Sequence, residues 1–122
     1  YNLFAHTLPH QGVEVRFVDP NRPEDIAGLV DAKTKLVYCE SIGNPAINVV
    51  DIPAFANAAH AQGLPLVVDN TVATPLLCPA LKLGADIVVE SLTKYIGGHG
   101  NSIGGAIVDS GKFPWGEHKE PL

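Results

Sequence analysis

The first residue whose type and surroundings indicate chemistry is Lys94. It lies between Thr93 and Tyr95 in the stretch SLTKYIGGHG, and Gly97 and Gly98 follow shortly after it. Because glycines carry no side chain, the backbone near this lysine can approach a ligand closely. A lysine removed from water loses its proton more easily and becomes a nucleophile toward an aldehyde. A lone lysine after a strand is more often a solvated surface group, but these neighbours favour imine (Schiff-base) chemistry at Lys94.

A second chemical group, Asp69, ends the apolar run Leu64–Val68. Taken alone, this carboxylate could simply cap a helix or close a turn. Beside a nucleophilic lysine it has another use, because an anion facing a pyridine nitrogen stabilises the protonated ring, which can then accept electrons from a carbanion. A lysine for the aldehyde and an aspartate for the ring nitrogen are the two groups that pyridoxal phosphate (PLP) needs most. The pair therefore predicts a PLP site.

Polar side chains collect directly after three short apolar runs, Leu36–Cys39, Leu66–Val68 and Ile87–Val89. Continuous apolar runs of this length are typical of strands buried on both faces of a parallel sheet. In such sheets, ligands bind beyond the carboxyl ends of the strands. The polar residues are Glu40, Ser41 and Asn44, then Asp69, Asn70 and Thr71, then Glu90, Ser91, Thr93 and Lys94. We therefore expect one edge of the sheet to hold carboxylate, amide, hydroxyl and ammonium groups.

Helical patterns separate these runs. The clearest helix follows Asp51, a good N-cap, and ends at Gly63, which can adopt a left-handed conformation. Its apolar stripe consists of Ile52, Phe55, Ala56 and Ala59. A surface helix is predicted from Pro23 to Val30, and a helical turn from Pro79 to Leu83.

Two further strands and one helix complete the pattern. Residues 13–17 alternate apolar and polar side chains, as in an edge strand with one wet face, and Ala106–Val108 predicts another strand. The first dozen residues have near-helical apolar spacing, which Pro9 interrupts. Strands that alternate with helices indicate an α/β fold with a mostly parallel sheet, helical crossovers and helices on both faces.

Length and composition limit the classes of function. The 122 residues suffice for one domain, and 46% hydrophobic with 17% charged residues is typical of a globular protein. A net charge of -5 with eight scattered Lys and Arg argues against nucleic-acid binding, and no apolar run approaches the about 20 residues that span a bilayer. The chain begins at Tyr1 and contains no Met, so we interpret it as a piece of a longer protein. Cys39 and Cys78 lie in apolar contexts, which predicts free thiols and a cytoplasmic location.

Other chemistries are less well supported. We expect no metal site, because His6 and His10 are four apart on a weakly predicted helix and His60, His99 and His118 are isolated. No base lies near either cysteine, which weakens a thiol nucleophile. A nucleotide-binding module is disfavoured because neither GxGxxG after a strand nor GxxxxGK occurs. A non-catalytic α/β piece remains a further alternative.

Three stretches carry a family resemblance: VYCESIGNPAINVVDI, GLPLVVDNTVATPLL and LGADIVVESLTKYIGGHGNSIGGAIVDSGKF. They resemble the Cys/Met-metabolism family of PLP-dependent enzymes, which includes cystathionine synthases and lyases, methionine γ-lyase and homoserine-ester sulfhydrylases. The pair VVDNT and SLTKYIGGHG is a specific signal, and the likeness covers nearly the whole chain. Within the family, GHGNSIGGAIVDSGKF is most similar to the sulfhydrylases that act on O-acetylhomoserine.

The resemblance implies roles for five residues. Lys94 would form the imine with the PLP aldehyde and then shuttle protons, and Asp69 would pair with the ring nitrogen. Asn44 would lie near the phenolic oxygen, where turn chemistry is the plainer explanation of an Asn-Pro sequence. Ser91 and Thr93 would donate hydroxyls to phosphate oxygens, or could merely satisfy local backbone groups.

The resemblance also implies a fold and an activity. Residues 1–122 would form a partial large domain of fold type I, with the N- and C-terminal parts of the parent absent. Those parts carry the ring-stacking tyrosine, the Gly-rich phosphate turn, and the tyrosine and arginines that complete the family's site. The implied reaction is γ-replacement on O-acetylhomoserine with sulfide or a thiol, giving homocysteine or methionine, in a dimer or tetramer. Cystathionine γ-synthase or methionine γ-lyase activity is the alternative, and the role of Glu90, where several relatives carry His, stays open.

Overall fold

A four-stranded sheet organises residues 1–117, the part of the chain that the computed structural model describes. Its strands, in spatial order, are β1 (Val37–Glu40), β2 (Leu66–Asp69), β3 (Ile87–Ser91) and β4 (Gly105–Asp109). β1, β2 and β3 are parallel, whereas β4 runs antiparallel to β3. The mostly parallel α/β sheet is confirmed, with its four strands close to the predicted apolar runs. The predicted isolation of His118 lies outside the described residues.

Short helices connect the strands. They are α1 (Leu8–His10), α2 (Ile26–Leu29), α3 (Ile52–His60) and α4 (Thr74–Leu77), with a π-helical turn at Leu3–Thr7 and 3₁₀ turns at Pro23–Asp25, Ala80–Leu83 and Trp115–Glu117. The prediction for α3 is confirmed: Asp51 Oδ1 accepts a hydrogen bond from the N–H of Ala54 at 3.0 Å, and Gly63 has φ +70°. None of the helices within residues 1–117 is long and apolar enough to cross a bilayer.

The core lies between α3 and one face of the sheet. Phe55 of α3 packs with Leu66 and Val68 of β2 in a cluster of buried residues, and both β2 side chains are fully buried. Side chains of a strand alternate between its faces, so Tyr38, whose strand neighbour Cys39 belongs to the core, points to the opposite face. There Phe4, from the π-helical turn before α1, packs against Tyr38 with 4.6 Å between ring centroids and 47° between the ring planes. Helical segments therefore contact both faces, as expected.

The predicted edge strand at residues 13–17 is wrong. This segment has no regular secondary structure and pairs with no strand among the described residues, and the sheet begins at β1. Arg16 instead bonds Glu14 at 2.7 Å and Asp31 at 2.6 Å, and its third contact is the carbonyl oxygen of Leu29. Alternation describes side-chain periodicity, but a strand also needs a neighbour for its backbone hydrogen bonds.

Three helical details also differ from expectation. The surface helix consists of a 3₁₀ turn followed by the four residues of α2, and it ends one residue early because Val30 is already extended. The N-terminal helical segment continues past Pro9, which lies in the first turn of α1, directly after the π-helical turn Leu3–Thr7. α4 is not predicted from the sequence, and its first residue, Thr74, adopts a left-handed φ of +62°.

Candidate active site

The candidate site lies at the carboxyl edge of the three parallel strands. The register places Glu40 opposite Asp69, and Asp69 opposite Val89. Val68 belongs to the buried core, so its neighbour Asp69 lies on the other face of the sheet. Ser91, two residues after Val89, shares that face. The alternation of the strands thus brings the predicted carboxylate and one predicted hydroxyl to the same face and edge.

Asp69 is held from two directions. Its Oδ1 accepts a hydrogen bond from the N–H of Thr71 at 3.0 Å, and its Oδ2 accepts one from the hydroxyl of Tyr38 at 3.2 Å. The residue is half-buried, and Oδ1 closes a local turn of the kind that aspartate commonly makes. Asp69 therefore closes a turn, as its alternative role requires. Each of its carboxylate oxygens still has a lone pair for a ligand.

Lys94 lies in the tight turn that follows β3. Its N–H donates to the carbonyl of Ser91 at 3.1 Å, and its own carbonyl accepts from Gly98 at 2.9 Å. Gly97 is needed in this turn, because a Cβ there would overlap the carbonyl oxygen of Leu92. The side chain of Lys94 is exposed, and no acidic group within residues 1–117 pairs with it. Its amine is accessible to a carbonyl compound.

The two predicted phosphate-binding hydroxyls have different surroundings. Thr93 Oγ1 accepts the N–H of Gly104 at 3.0 Å and donates to the carbonyl of the same residue at 3.3 Å. The Thr93 hydroxyl therefore satisfies backbone groups, here those of Gly104, which is the alternative to phosphate binding. The N–H of Ser91 donates to Thr71 Oγ1 at 2.8 Å, while no bond of the Ser91 hydroxyl occurs in the described part of the chain. Phosphate binding by either hydroxyl stays a prediction.

Asn44 is exposed in the loop after β1. Its N–H donates to Glu40 Oε2 at 3.1 Å, and the loop closes through a bridge between Ile42 and Val49. No hydrogen bond or ion pair in residues 1–117 joins Asn44, Asp69 and Lys94 to one another. The sheet collects these residues at one edge, and a role for the Asn44 amide stays a prediction.

A row of buried polar side chains lies behind the site, on the core face of the same edge. Ser41, Asn70 and Glu90 follow one another across β1, β2 and β3 and are at most 3% exposed. Asn70 Nδ2 donates to the carbonyl of Cys78 at 2.9 Å and to Glu90 Oε1 at 3.3 Å. Within residues 1–117, Ser41 Oγ, Asn70 Oδ1 and Glu90 Oε2 have no hydrogen-bond partner. The pKa of Glu90 is raised by burial and by the charge of Asp69, although the Asn70 bond lowers it.

The sequence did not indicate that Tyr38 and Thr71 both donate hydrogen bonds to Asp69. Tyr38 was part of an apolar run, and Thr71 was only one polar residue after a strand. The available signal was the period of two: Tyr38 and Asp69 share a face because β1 and β2 pair in register. Thr71 ties the same loop to β3 through its bond from Ser91.

The two cysteines are free and unsuited to nucleophilic chemistry. Burial raises the pKa of the Cys39 thiol to about 12, and the charge of Glu40 adds to this effect. The pKa of Cys78 is also raised, first by burial and then by the charge of Glu90. Both thiols stay protonated at neutral pH, whereas the thiolate is the nucleophile.

A cavity of about 960 Å³ opens at the amino edge of the sheet, away from every predicted site residue. Asp86 lies in its wall; its Oδ2 accepts the N–H of Leu66 at 2.8 Å and contacts His60 Nε2 at 2.7 Å. These contacts anchor the start of β2 to the start of β3. No group of three or more His, Cys, Asp or Glu in residues 1–117 is arranged to hold a metal ion.

The sequence profile of the Cys/Met metabolism PLP-dependent enzymes matches residues 1–121. The chain belongs to this family. The expected family is thereby confirmed, and PLP is the cofactor of the family.

Relatives within the family include two that are half identical to the chain. It is 52% identical over 121 residues to the homocysteine/cysteine synthase of Kluyveromyces lactis, covering 98% of this chain and 27% of the relative. It is 50% identical over 119 residues to the O-acetyl-L-homoserine sulfhydrylase of Leptospira meyeri, again covering 98% and 27%. The chain thus spans about a quarter of the length of these relatives.

The fold matches a solved structure of the family. That structure, described as an O-acetylhomoserine (thiol)-lyase from Campylobacter jejuni with N'-pyridoxyl-lysine-5'-monophosphate, superposes with a TM-score of 0.88 at 36% identity. The match covers 92% of this chain and 28% of that one. The α/β fold expected for the family is confirmed.

Proposed function

We propose that the chain is the central part of the PLP-binding large domain of an O-acetylhomoserine sulfhydrylase. In the proposed γ-replacement, the bond between Cγ of O-acetylhomoserine and its acetate oxygen breaks, and sulfide or a thiol forms a C–S bond at Cγ. The product is homocysteine with sulfide and methionine with methanethiol. Support comes from the Leptospira meyeri relative, which is a named O-acetyl-L-homoserine sulfhydrylase, and from the Kluyveromyces lactis relative, which is a named homocysteine/cysteine synthase.

The donor set at the carboxyl edge fits PLP. It contains a half-buried carboxylate, an exposed amine without an acidic partner in residues 1–117, and a hydroxyl at the end of β3. One observation carries the proposal: Asp69 and Ser91 share one face of the sheet, and Lys94 follows Ser91 through a single tight turn. When bound, PLP supplies an aldehyde that captures amino groups and a ring that accepts the electrons released at Cα.

Each predicted residue has a distinct task in this proposal. Lys94 would hold the cofactor aldehyde and would serve as the base that takes the proton from Cα and returns it. Asp69 would bind the pyridine nitrogen and favour its protonated form, because an adjacent anion stabilises the charged ring. Ser91 and Thr93 donate hydroxyls to phosphate oxygens, and the Thr93 hydroxyl does so by releasing its long bond to Gly104. Asn44 offers its amide to the phenolic oxygen.

We further propose a cytoplasmic homo-oligomer, a dimer or a tetramer, that acts on a small amino-acid substrate. Free Cys39 and Cys78 support a reducing compartment. Several large apolar side chains are strongly exposed, among them Leu76, Ile103 and Ile107, and such surfaces favour association with further protein.

Borohydride reduction of the PLP-loaded protein tests the proposal. We expect the reduced cofactor on Lys94, identified by peptide mass spectrometry, and loss of visible cofactor absorbance and of turnover in Lys94→Ala. Lys82→Ala is the matched control, because Lys82 is also an exposed lysine but lies near the amino edge of the sheet. A label on another lysine, or turnover retained by Lys94→Ala, would overturn the assignment.

Substrate competition tests the reaction class separately. The purified enzyme should form homocysteine from O-acetylhomoserine and sulfide. Faster release of methanethiol from methionine, or faster formation of cystathionine with cysteine as the sulfur donor, would replace the sulfhydrylase by one of the alternative activities while leaving Lys94 in place.

A further inference from the structure

Tyr38 reaches the candidate site from the neighbouring strand. It lies on β1, on the face of the sheet that carries Asp69, and its hydroxyl donates to Asp69 Oδ2 at 3.2 Å. In the register of the two strands Tyr38 pairs with Val67, so its contact with Asp69 is the diagonal one that a long side chain can make. The ring is half-buried and packs on Phe4 at 4.6 Å. The hydroxyl is therefore held in place by packing from one side and by the carboxylate from the other.

The hydrogen bond from Tyr38 restricts a rotation of the Asp69 carboxylate that the loop leaves free. Thr71 N–H binds only Oδ1 of Asp69, and one hydrogen bond allows the carboxylate to rotate about its last side-chain torsion. The second donor, on Oδ2 and from a different strand, determines the plane of the carboxylate. Preorganisation of a charged group toward its ligand requires this kind of support from neighbouring side chains.

Tyr38 is suited to donate a proton in a hydrogen bond and not to transfer one. Burial raises the pKa of its hydroxyl, and the charges of Asp69 and Glu40 raise it further. The phenol therefore stays protonated throughout the neutral range. Its lasting partner among the described residues is the carboxylate.

We propose that Tyr38 is the positioning residue for Asp69 and orients its carboxylate toward the ring nitrogen of PLP. This inference rests on the proposed function, since it needs the ring nitrogen at Asp69. Tyr38 touches no reacting atom and acts through the carboxylate alone.

Tyr38→Phe in the holoenzyme is the direct test, because it removes the hydroxyl and keeps the ring that packs on Phe4. A hydrogen bond to a charged group contributes about 1.5 kcal/mol, which corresponds to about tenfold in an equilibrium constant. We expect kcat to fall about tenfold, the same factor applied to a rate, and the visible circular-dichroism band of the bound cofactor to weaken, with the dissociation constant of PLP and KM changed less than about twofold. Tyr1→Phe, which removes an exposed hydroxyl elsewhere, should change none of these values.

A double-mutant cycle separates positioning from general damage. If Tyr38 acts through the carboxylate, Tyr38→Phe should change kcat and the PLP dissociation constant less than about twofold in an Asp69→Asn background. An equal loss in both backgrounds, or no change in the circular-dichroism band of Tyr38→Phe, would overturn the inference. Absence of any PLP spectrum in the wild-type protein would instead overturn the proposed function, so the two failures are distinguishable.

Discussion

Replacing Glu90 by glutamine should stabilise the protein at slightly alkaline pH. Glu90 is 3% exposed, and both its Oε2 and the neighbouring Asn70 Oδ1 lack partners within residues 1–117. As a carboxylate, Glu90 offers this buried row only acceptors, whereas the side-chain amide introduced by Glu90→Gln brings a donor for an acceptor without a partner, such as Asn70 Oδ1. One such neutral bond contributes about 1 kcal/mol, so the free energy of unfolding at pH 8 should rise by at least that amount. The melting temperature should rise with it.

The direction of the pKa shift of Glu90 determines how the stabilisation by Glu90→Gln should vary with pH. Burial and the charge of Asp69 raise the pKa of Glu90 above its ordinary value of 4.5, so the folded state binds a proton more tightly than the unfolded state. The stability that the protonated carboxyl contributes is complete below 4.5 and is lost as the pH rises through the folded-state value. Glutamine cannot ionise, so the Glu90→Gln variant does not lose stability in this way as the pH rises. The advantage of Glu90→Gln should therefore be largest at pH 8 and should shrink toward pH 4.5.

Thermal unfolding of the cofactor-free protein, followed by far-ultraviolet circular dichroism from pH 5 to pH 8, measures both quantities. Glu24→Gln is the matched control, because Glu24 is exposed and its pairing with Arg22 at 3.7 Å contributes little. Two results would contradict the argument from the buried Asn70 and Glu90. One is a Glu90→Gln variant no more stable than wild type at pH 8, and the other is a stability difference between variant and wild type that is the same at every pH.

Two further substitutions test the ring-nitrogen carboxylate and the core. Asp69→Asn should retain most PLP binding while lowering kcat by at least about tenfold, because the amide oxygen still accepts the N–H of Thr71 but the neutral side chain does not favour the protonated ring; absorbance titration and steady-state kinetics check this, and unchanged turnover contradicts the assigned role. Phe55→Ala should lower the free energy of unfolding by about 3–5 kcal/mol by opening a cavity under β2. Asn57→Ala, on the exposed side of α3, should stay within about 0.5 kcal/mol in the same denaturant titration, and an equal effect of both would contradict the packing derived for α3.

Elements whose signals are local could be predicted from the sequence. α3 has a capping aspartate, an apolar stripe at helical spacing and a glycine with positive φ after its end, and all three act within a dozen residues. The turn at Ala80–Leu83 likewise ends at Gly84, with φ +114°. The buried strands were recognisable because a run that faces protein on both sides is apolar throughout.

Features that depend on distant partners could not be predicted in this way. Residues 13–17 have the periodicity of a strand but no strand partner within residues 1–117, and the Arg16 side chain bonds Glu14 and Asp31. β4 runs antiparallel to β3, and no residue type within Gly105–Asp109 indicates that direction. Thr93 shows the same limit, because only the folded turn brings Gly104 to its hydroxyl.

The position of the candidate residues at one edge of the sheet was predictable, whereas the faces that they occupy were not. Parallel strands place their following residues together, so polar types after each apolar run suffice to locate the edge. Which side chains cooperate depends on the register: Asp69 and Asn70 are consecutive, yet the first accepts a hydrogen bond from Tyr38 on the open face and the second donates one to Glu90 on the buried face. A continuous apolar run conceals this alternation, since Tyr38 counts as apolar while its hydroxyl makes a polar contact. Pairing register therefore adds most to a sequence-based prediction of a site at one kind of position. This is a tyrosine within an apolar strand whose neighbouring strand ends in a candidate carboxylate.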